Sequence, residues 1–265
     1  MTRRRFFCES LDRPGKTLTL DADVSHHLWR VLRHREGEAV ELCDGRGRTA
    51  RATIRGHRQG RVEVELLSVT REEPDDVWTV FMVPWARSDR MDLVVRQAVE
   101  LGVSELWFFE AERSRYALEG SRKDKRLGRY EKIARDALCQ SGRAWIPEIR
   151  GEDSTEGVLG RLGREPPGEK EIRILASETE PRESLLAVWR RYPQPRRIVS
   201  AVGPEGGWTE GERRMFHACG FVPVSLGRHV LRFETACTAL LAAVEVLWKQ
   251  AFHPEFQPAA RMETP

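Results

Sequence analysis

The sequence predicts an α/β protein whose small, β-rich N-terminal domain precedes a larger domain with a mostly parallel sheet. Three observations carry that prediction. Short alternating apolar segments fill residues 6 to 69. A charged, proline-containing break, "TREEPDD" at 70 to 76, follows without periodicity. Beyond it, apolar runs alternate with stretches of helical spacing, the pattern of a parallel sheet covered on both faces.

In order along the chain, "KTLTL", "EAVELCDG", "RTARATIRG" and "RVEVELLSV" read as strands between Gly and Asp turn signals. They suggest a small β-barrel-like domain. One helix interrupts them. In "HHLWRVLRH" the residues Leu28, Val31 and Leu32 repeat at helical spacing and are expected to face inward, leaving Arg30, Arg33 and His34 on the other side. After the break, "VWTVFMVP" reads as a buried strand. "RMDLVVRQAVELG" reads as a helix with Met91, Val94, Val95 and Ala98 inward and Gly102 at its C-terminal cap. "SELWFF", "EIRILAS", "RRIVSAVG" and "FVPVSLG" are further strands, and helices are expected around 122–140, 183–191, 209–219 and 234–250. The domains are therefore set at 1–72 and 73–252, and the Pro-containing tail 253–265 is expected to be poorly ordered.

Composition narrows the class. The 265 residues are 40% hydrophobic and 32% charged, without an apolar run long enough to span a bilayer. The start "MTRRRFFCES" lacks the apolar core and cleavage site of a signal peptide, so a cytoplasmic location is expected. The five cysteines (Cys8, Cys43, Cys139, Cys219, Cys237) are scattered without C-x-x-C spacing, so neither a disulfide framework nor a zinc site is expected, and they read as reduced packing residues. A net charge of +3 permits a nucleic-acid partner without requiring one.

The chemistry concentrates in three strand-end loops. "AVGPEGGW" (201–208) sets Gly203, Gly206 and Gly207 around Pro204-Glu205, and Thr209 with Glu212 has the spacing of a capping box opening the next helix. A glycine-rich strand-to-helix turn at the carboxyl end of a parallel strand is where open α/β sheets bind ligands. "SLGRHVLRFETA" (225–236) repeats the arrangement, with Arg232 and Glu234 at the bend, and "LASETE" (175–180) also ends a strand with polar residues. No P-loop signature is present, and "GRGRTA" at 45–50 matches G-x-G-x-x-A only as a hairpin turn, since a strand follows it.

"VGPEGGWTEGE" and "SLGRHVLRFETA", together with "DLVVRQAVELGV", "ERSRY" and "IARDALCQSGRAWIPEI" in the same order, resemble the RsmE family of 16S rRNA uracil-N3 methyltransferases. The resemblance runs from "RRFF" to about residue 250. It implies a PUA-like RNA-binding N-terminal domain and a SPOUT-type C-terminal domain with a deep trefoil knot. It also implies a homodimer that methylates N3 of a specific uridine of 16S rRNA in the 30S subunit, with S-adenosylmethionine held in the knot and no metal. On that resemblance the cofactor would be held by Leu175, Glu178 and Thr179, by Val202, Gly203, Pro204, Glu205 and Gly207, and by Leu226, Gly227, Leu231, Arg232, Glu234, Thr235 and Ala236.

For catalysis, Arg232 would stabilise or orient the charge developing on uracil. Glu205 or Glu234 would accept the proton or anchor Arg232, the alternative being that these carboxylates cap helices or bind ribose hydroxyls. For RNA, segments that mix Arg with His, Tyr and Phe suit phosphate contacts and base stacking: Arg3, Arg4, Arg5, His26, His27, Arg30, Arg33, Arg113, Arg115, Gln140 and Arg143. The chain departs from the family pattern at Arg87 and Gln97, where lysines are usual, and at Phe233, where a small polar residue is usual. Three other readings compete: a SPOUT-class enzyme acting on another rRNA position or on tRNA, a non-catalytic ribosome assembly factor, and a generic small-molecule α/β enzyme.

Overall fold

The computed structural model describes residues 5–116, 120–163, 168–178, 183–192 and 194–249. Arg3, Arg4, Thr179 and the tail 253–265 lie outside the described residues. The chain divides into two compact units, Met1–Pro74 with Lys132–Ile146, and Asp75–Glu131 with Pro147–Pro265.

The first unit contains β1 (Arg5–Phe7), β2 (Thr17–Thr19), α1 (Ala22–His26), β3 (Ala39–Cys43), β4 (Arg48–Arg58) and β5 (Arg61–Arg71). They form one sheet in the order β1-β3-β4-β5-β2, with β1 and β3 parallel and the other neighbours antiparallel. Every second residue turns inward, as the pleat requires. Ala50, Ala52 and Ile54 on β4 face the core with Val62, Val64 and Leu66 on β5, joined there by Leu20, Leu28 and Leu42. Gln59 and Gly60 both have positive φ (49° and 79°), the two-residue turn whose twist matches a β-hairpin. "GRGRTA" is likewise a hairpin. There Asp44 Oδ1 accepts the N–H groups of Arg46 (2.7 Å) and Arg48 (3.0 Å), tying the turn between β3 and β4.

The expected helix is shorter and wider than its spacing suggests. After α1 the chain opens into a π-turn over His27–Val31, with the Leu32 N–H donating to the His27 carbonyl five residues back. The wider turn rotates Val31 and Leu32 off the face that buries Leu28, so they are exposed (56% and 37%) rather than inward. Arg33, with φ of 60°, lies beyond the helical turn rather than on it.

Residues 132–146 complete this unit. The N–H of Gly47 donates to Ala144 O (2.9 Å), that of Ile146 to Gly45 O (3.0 Å), and the Trp145 indole to Glu72 O (2.9 Å). The Arg135 guanidinium lies 4.9 Å from the Phe7 ring centre. None of the five cysteines is in a disulfide, and the Cys43 and Cys139 sulfurs lie 3.8 Å apart.

The second unit contains β6 (Trp78–Pro84), α2 (Ser88–Glu100), β7 (Glu105–Phe109), α3 (Gly120–Ser141, up to Glu131), β8 (Glu148–Gly151), α4 (Thr155–Leu162), β9 (Glu171–Ala176), β10 (Glu183–Ser184), α5 (Leu185–Arg191), β11 (Arg197–Ala201), α6 (Glu210–Ala218), β12 (Val222–Ser225) and α7 (Phe233–Val244). Among the described residues its seven strands are parallel in the order β10-β12-β9-β11-β6-β7-β8. Both faces are covered, which is why β6, β7, β9 and β11 are buried along nearly their whole length and read as continuous apolar runs. On α2 the residues Met91, Val94, Val95 and Ala98 are buried as their spacing demands. The capping box at the start of α6 is formed, and the fully buried Glu212 does more than cap. Its Oε1 also accepts the Glu112 N–H (3.0 Å) and the Thr155 hydroxyl (2.8 Å), joining the starts of α4 and α6.

Tyr130 on α3 is fully buried beside Phe108 (ring centres 4.9 Å apart) and Trp85 (6.4 Å). Burial raises its phenol pKa above the ordinary value, with Arg126 opposing the shift. A folded-state pKa raised above the unfolded value of about 10 contributes stability that is complete below that pH and is lost as pH rises through the folded value. Tyr130→Phe is expected to leave the melting temperature at pH 7 nearly unchanged and to flatten its decline above about pH 10. Melting curves across that range check this.

Candidate functional site

Three sequence-distant loops meet because the order of strands reverses beside β9. From β9 the chain places β11 on one side and β12 on the other, all parallel, so the segments following these three strands leave the sheet at one edge. They enclose a cavity of about 330 Å³, lined by residues 176–178, 202–205 and 225–233, with Arg90 from α2 and Ala236 from α7.

The glycines hold these walls close. A Cβ at Gly203 would lie 3.0 Å from the Trp208 indole. Gly207, at φ of 70°, would bring one within 2.8 Å of Glu178 Oε1. Trp208 is buried against Phe216 and donates its indole N–H to Ala176 O (3.0 Å), so it props the loop after β11 against the end of β9.

Of the residues expected to hold a cofactor, Glu178, Val202, Gly203, Pro204, Glu205, Leu226, Gly227, Leu231, Arg232 and Ala236 line the cavity. Leu175 does not, being fully buried in the hydrophobic core beneath the loops. Gly207 and Glu234 are also off the wall, and Thr235 is exposed at the start of α7. Sequence reasoning did not single out Ser177, Arg228, His229, Val230 or Arg90, all of which line it, while Phe233, noted only as a departure from the family pattern, lines it too. Four of the missed residues lie inside the quoted loops and were accessible by contiguity. Arg90 was not, because nothing in the spacing of α2 points across the sheet.

Arg90 settles where the two candidate carboxylates go. It pairs with Glu205, and its Nε lies 3.9 Å from Glu234 Oε2. The expected anchoring of Arg232 by these glutamates is not formed. Arg232 stands exposed at the cavity rim as the N-cap residue of α7, with no ion pair among the described residues. Beneath Glu234, Cys237 is buried, and burial followed by the Glu234 charge pushes its thiol pKa up. It is a packing residue.

The cavity fits S-adenosylmethionine. Its size is that of a small-molecule pocket. Ser177 Oγ is buried on its wall without a hydrogen-bond partner among the described residues, the kind of orphan a ligand satisfies. Glu178 and Glu205 offer acceptors for an ammonium group or ribose hydroxyls, and the glycine loops offer main-chain groups. Among the described residues no group of three His, Cys, Asp or Glu is placed to hold a metal ion, and no helix is long and apolar enough to cross a membrane.

The RNA candidates fall in both units. In the first, the Arg5 guanidinium donates to the carbonyl of Gly142, the residue before Arg143, and pairs with Glu72 (3.2 Å). His26, Arg30 and Arg33 are exposed, while His27 is half-buried with its ring 6.2 Å from that of Phe6. Trp29, missed in the sequence, stacks on His57 at 4.8 Å with the Arg35 guanidinium over its ring. In the second unit Arg115 is exposed, and Arg113 donates to Gly206 O (3.3 Å), directly against the loop after β11.

Fold and site together define a methyltransferase of RNA. A family model described as an RNA methyltransferase domain matches residues 71–245, and one described as an RNA methyltransferase PUA domain matches residues 20–67. Ribosomal RNA small subunit methyltransferase E of Mycobacterium bovis is 32% identical over 250 residues, 93% of each chain. That of Synechocystis is 31% identical over 232 residues, 87% of this chain and 73% of its own. The chain belongs to the ribosomal RNA small subunit methyltransferase E family. The crystal structure of the Neisseria gonorrhoeae family member bound to S-adenosylmethionine matches with a TM-score of 0.80 at 31% identity, covering 93% of this chain and 98% of that one. A Legionella pneumophila protein solved with S-adenosylmethionine matches at 0.83 and 26% identity, with the same coverage.

Proposed function

We propose that this chain transfers the methyl group of S-adenosylmethionine to N3 of a specific uridine of 16S rRNA within the 30S subunit, acting in the cytoplasm as a homodimer whose cofactor loops form a trefoil knot. One observation carries the reading: three loops at the carboxyl ends of β9, β11 and β12 enclose a single cavity with the shape and polar groups for this cofactor, in a chain of this family. RNA binding is assigned to 1–72 and transfer to 73–252, with residues 132–146 of the latter packing in the first unit.

Bound S-adenosylmethionine supplies an electrophilic methyl group on sulfonium. The residues supply the rest. Uracil N3 carries a weakly acidic proton, so the base must lose it while held in line with the methyl group. Arg232, at the rim and in no ion pair among the described residues, would stabilise the negative charge that develops on the uracil oxygens. Glu205, on the cavity wall, and Glu234, behind it, remain the candidate proton acceptors. The exposed arginines would hold phosphates, and the Arg113 contact with Gly206 would link RNA docking to the loop after β11.

The test is transfer of labelled methyl to intact 30S subunits, naked 16S rRNA and tRNA, followed by nucleoside analysis. The expected product is 3-methyluridine in 30S-derived rRNA, and label confined to tRNA or absent would overturn the assignment. Glu205→Gln or Glu234→Gln is expected to lower turnover on 30S by roughly 10²-fold if that carboxylate is the base. Full turnover in both variants removes both from that role.

A further inference from the structure

We infer that Arg90 is a positioning residue of this site, a bolt between the loop after β11 and the start of α7. The inference rests on the reading of the cavity as the S-adenosylmethionine site. One guanidinium reaches two carboxylates from different walls: Glu205, on the loop that follows β11, and Glu234, in the first turn of α7. Glu234 Oε2 is buried and accepts no hydrogen bond among the described residues, and the cation 3.9 Å away compensates its charge. Arg90 itself faces the cavity.

The attachment continues along the same pair of helices. One turn beyond Glu234, the Thr238 hydroxyl lies 2.7 Å from Gln97 Oε1 on α2 and 2.8 Å from the Glu234 carbonyl oxygen. Between β12 and α7, by contrast, Gly227–Val230 is exposed, and Val230 is 80% accessible. That loop is fastened at its far end through Glu234, and Arg90 ties this end to the opposite wall. By engaging both carboxylates, Arg90 also keeps them from capturing Arg232, whose guanidinium stays available to the RNA base.

Both partners of the Arg90–Glu205 pair are about one-third exposed (32% and 37%), so the pair carries the modest energy of a partly solvated ion pair. For Arg90→Met the expected result is a rise of about fivefold in KM for S-adenosylmethionine, with KM for 30S unchanged. Arg90→Lys, which keeps the charge and loses the fork, is expected to recover part of it. In a Glu205→Gln background Arg90→Met is expected to have less than about a twofold effect, the non-additivity of groups that act together. Equal effects in both backgrounds would overturn the inference, because a merely structural arginine would act independently of Glu205.

Calorimetry of S-adenosylmethionine with the unaltered chain separates this inference from the reading it rests on. If no binding occurs, the cavity assignment fails while the bolt remains measurable by hydrogen exchange. Arg90→Met is then expected to speed exchange in 203–207 and 227–232 while leaving α6 unchanged. Unaltered exchange in those loops overturns the bolt.

Discussion

Arg232→Ala is expected to lower single-turnover methyl transfer to 30S subunits by roughly 10²- to 10³-fold, the usual consequence of removing a preorganised charge from a transition state. Affinity for S-adenosylmethionine is expected to change by less than about threefold, and the melting temperature to stay the same. The reason lies in what the side chain does not touch. Arg232 is exposed and bound to no carboxylate among the described residues, so its removal orphans no partner and opens no cavity. Arg232→Lys should fall between, keeping charge without the planar fork. Transfer kinetics, calorimetry and melting curves measured on one preparation decide the matter. A loss of cofactor affinity as large as the loss of rate would move Arg232 from the substrate to the cofactor.

Trp208→Ala is expected to act through stability. The indole is 3% exposed, packs 4.7 Å from Phe216 and lies nearly parallel to Phe109 at 6.2 Å. Truncating such a side chain costs about 3–5 kcal/mol, and here it also leaves the Ala176 carbonyl without its donor. A fall in melting temperature on the order of 10 °C follows for a chain of this size. Because Ala176 and Gly203 line the cavity on either side of the indole, cofactor affinity should fall as well. Trp208→Phe keeps most of the ring and loses the N–H, so its cost should be about 1–2 kcal/mol. A melting temperature lowered by less than about 3 °C in the alanine variant would show that the loop after β11 is held by something else.

The sequence made the strands of the larger unit legible because each is covered on both faces and so written as an apolar run, as in "VWTVFMVP". It also made the loops after β11 and β12 legible, since each sets glycine beside a polar bend between an apolar run and a helix, whereas "LASETE" showed only as polar residues ending a strand. What it hid was carried by geometry of longer range. Strand β8 and helix α4 escaped notice because "EIRG" is short, polar and only half-buried, and α4 has only eight residues. The π-turn after α1 defeated a face drawn with a period of 3.6, putting Val31 and Leu32 outside. Arg90 was invisible because its partners lie far along the chain, and only the reversal of strand order around β9 brings them within reach.

The composition of the first unit also bears on how the chain is made. Its sheet is encoded by residue 71, yet the unit closes only with residues 132–146, whose backbone satisfies Gly47 and Gly45 and whose Trp145 satisfies Glu72. During synthesis, at about 5–20 residues per second, the hairpins β3–β4 and β4–β5 emerge several seconds before those partners do. The N-terminal sheet therefore waits with the turn between β3 and β4 unpartnered while β6, α2 and β7 are still being translated. The two units mature as interleaved pieces of one chain, the first completed only after part of the second exists.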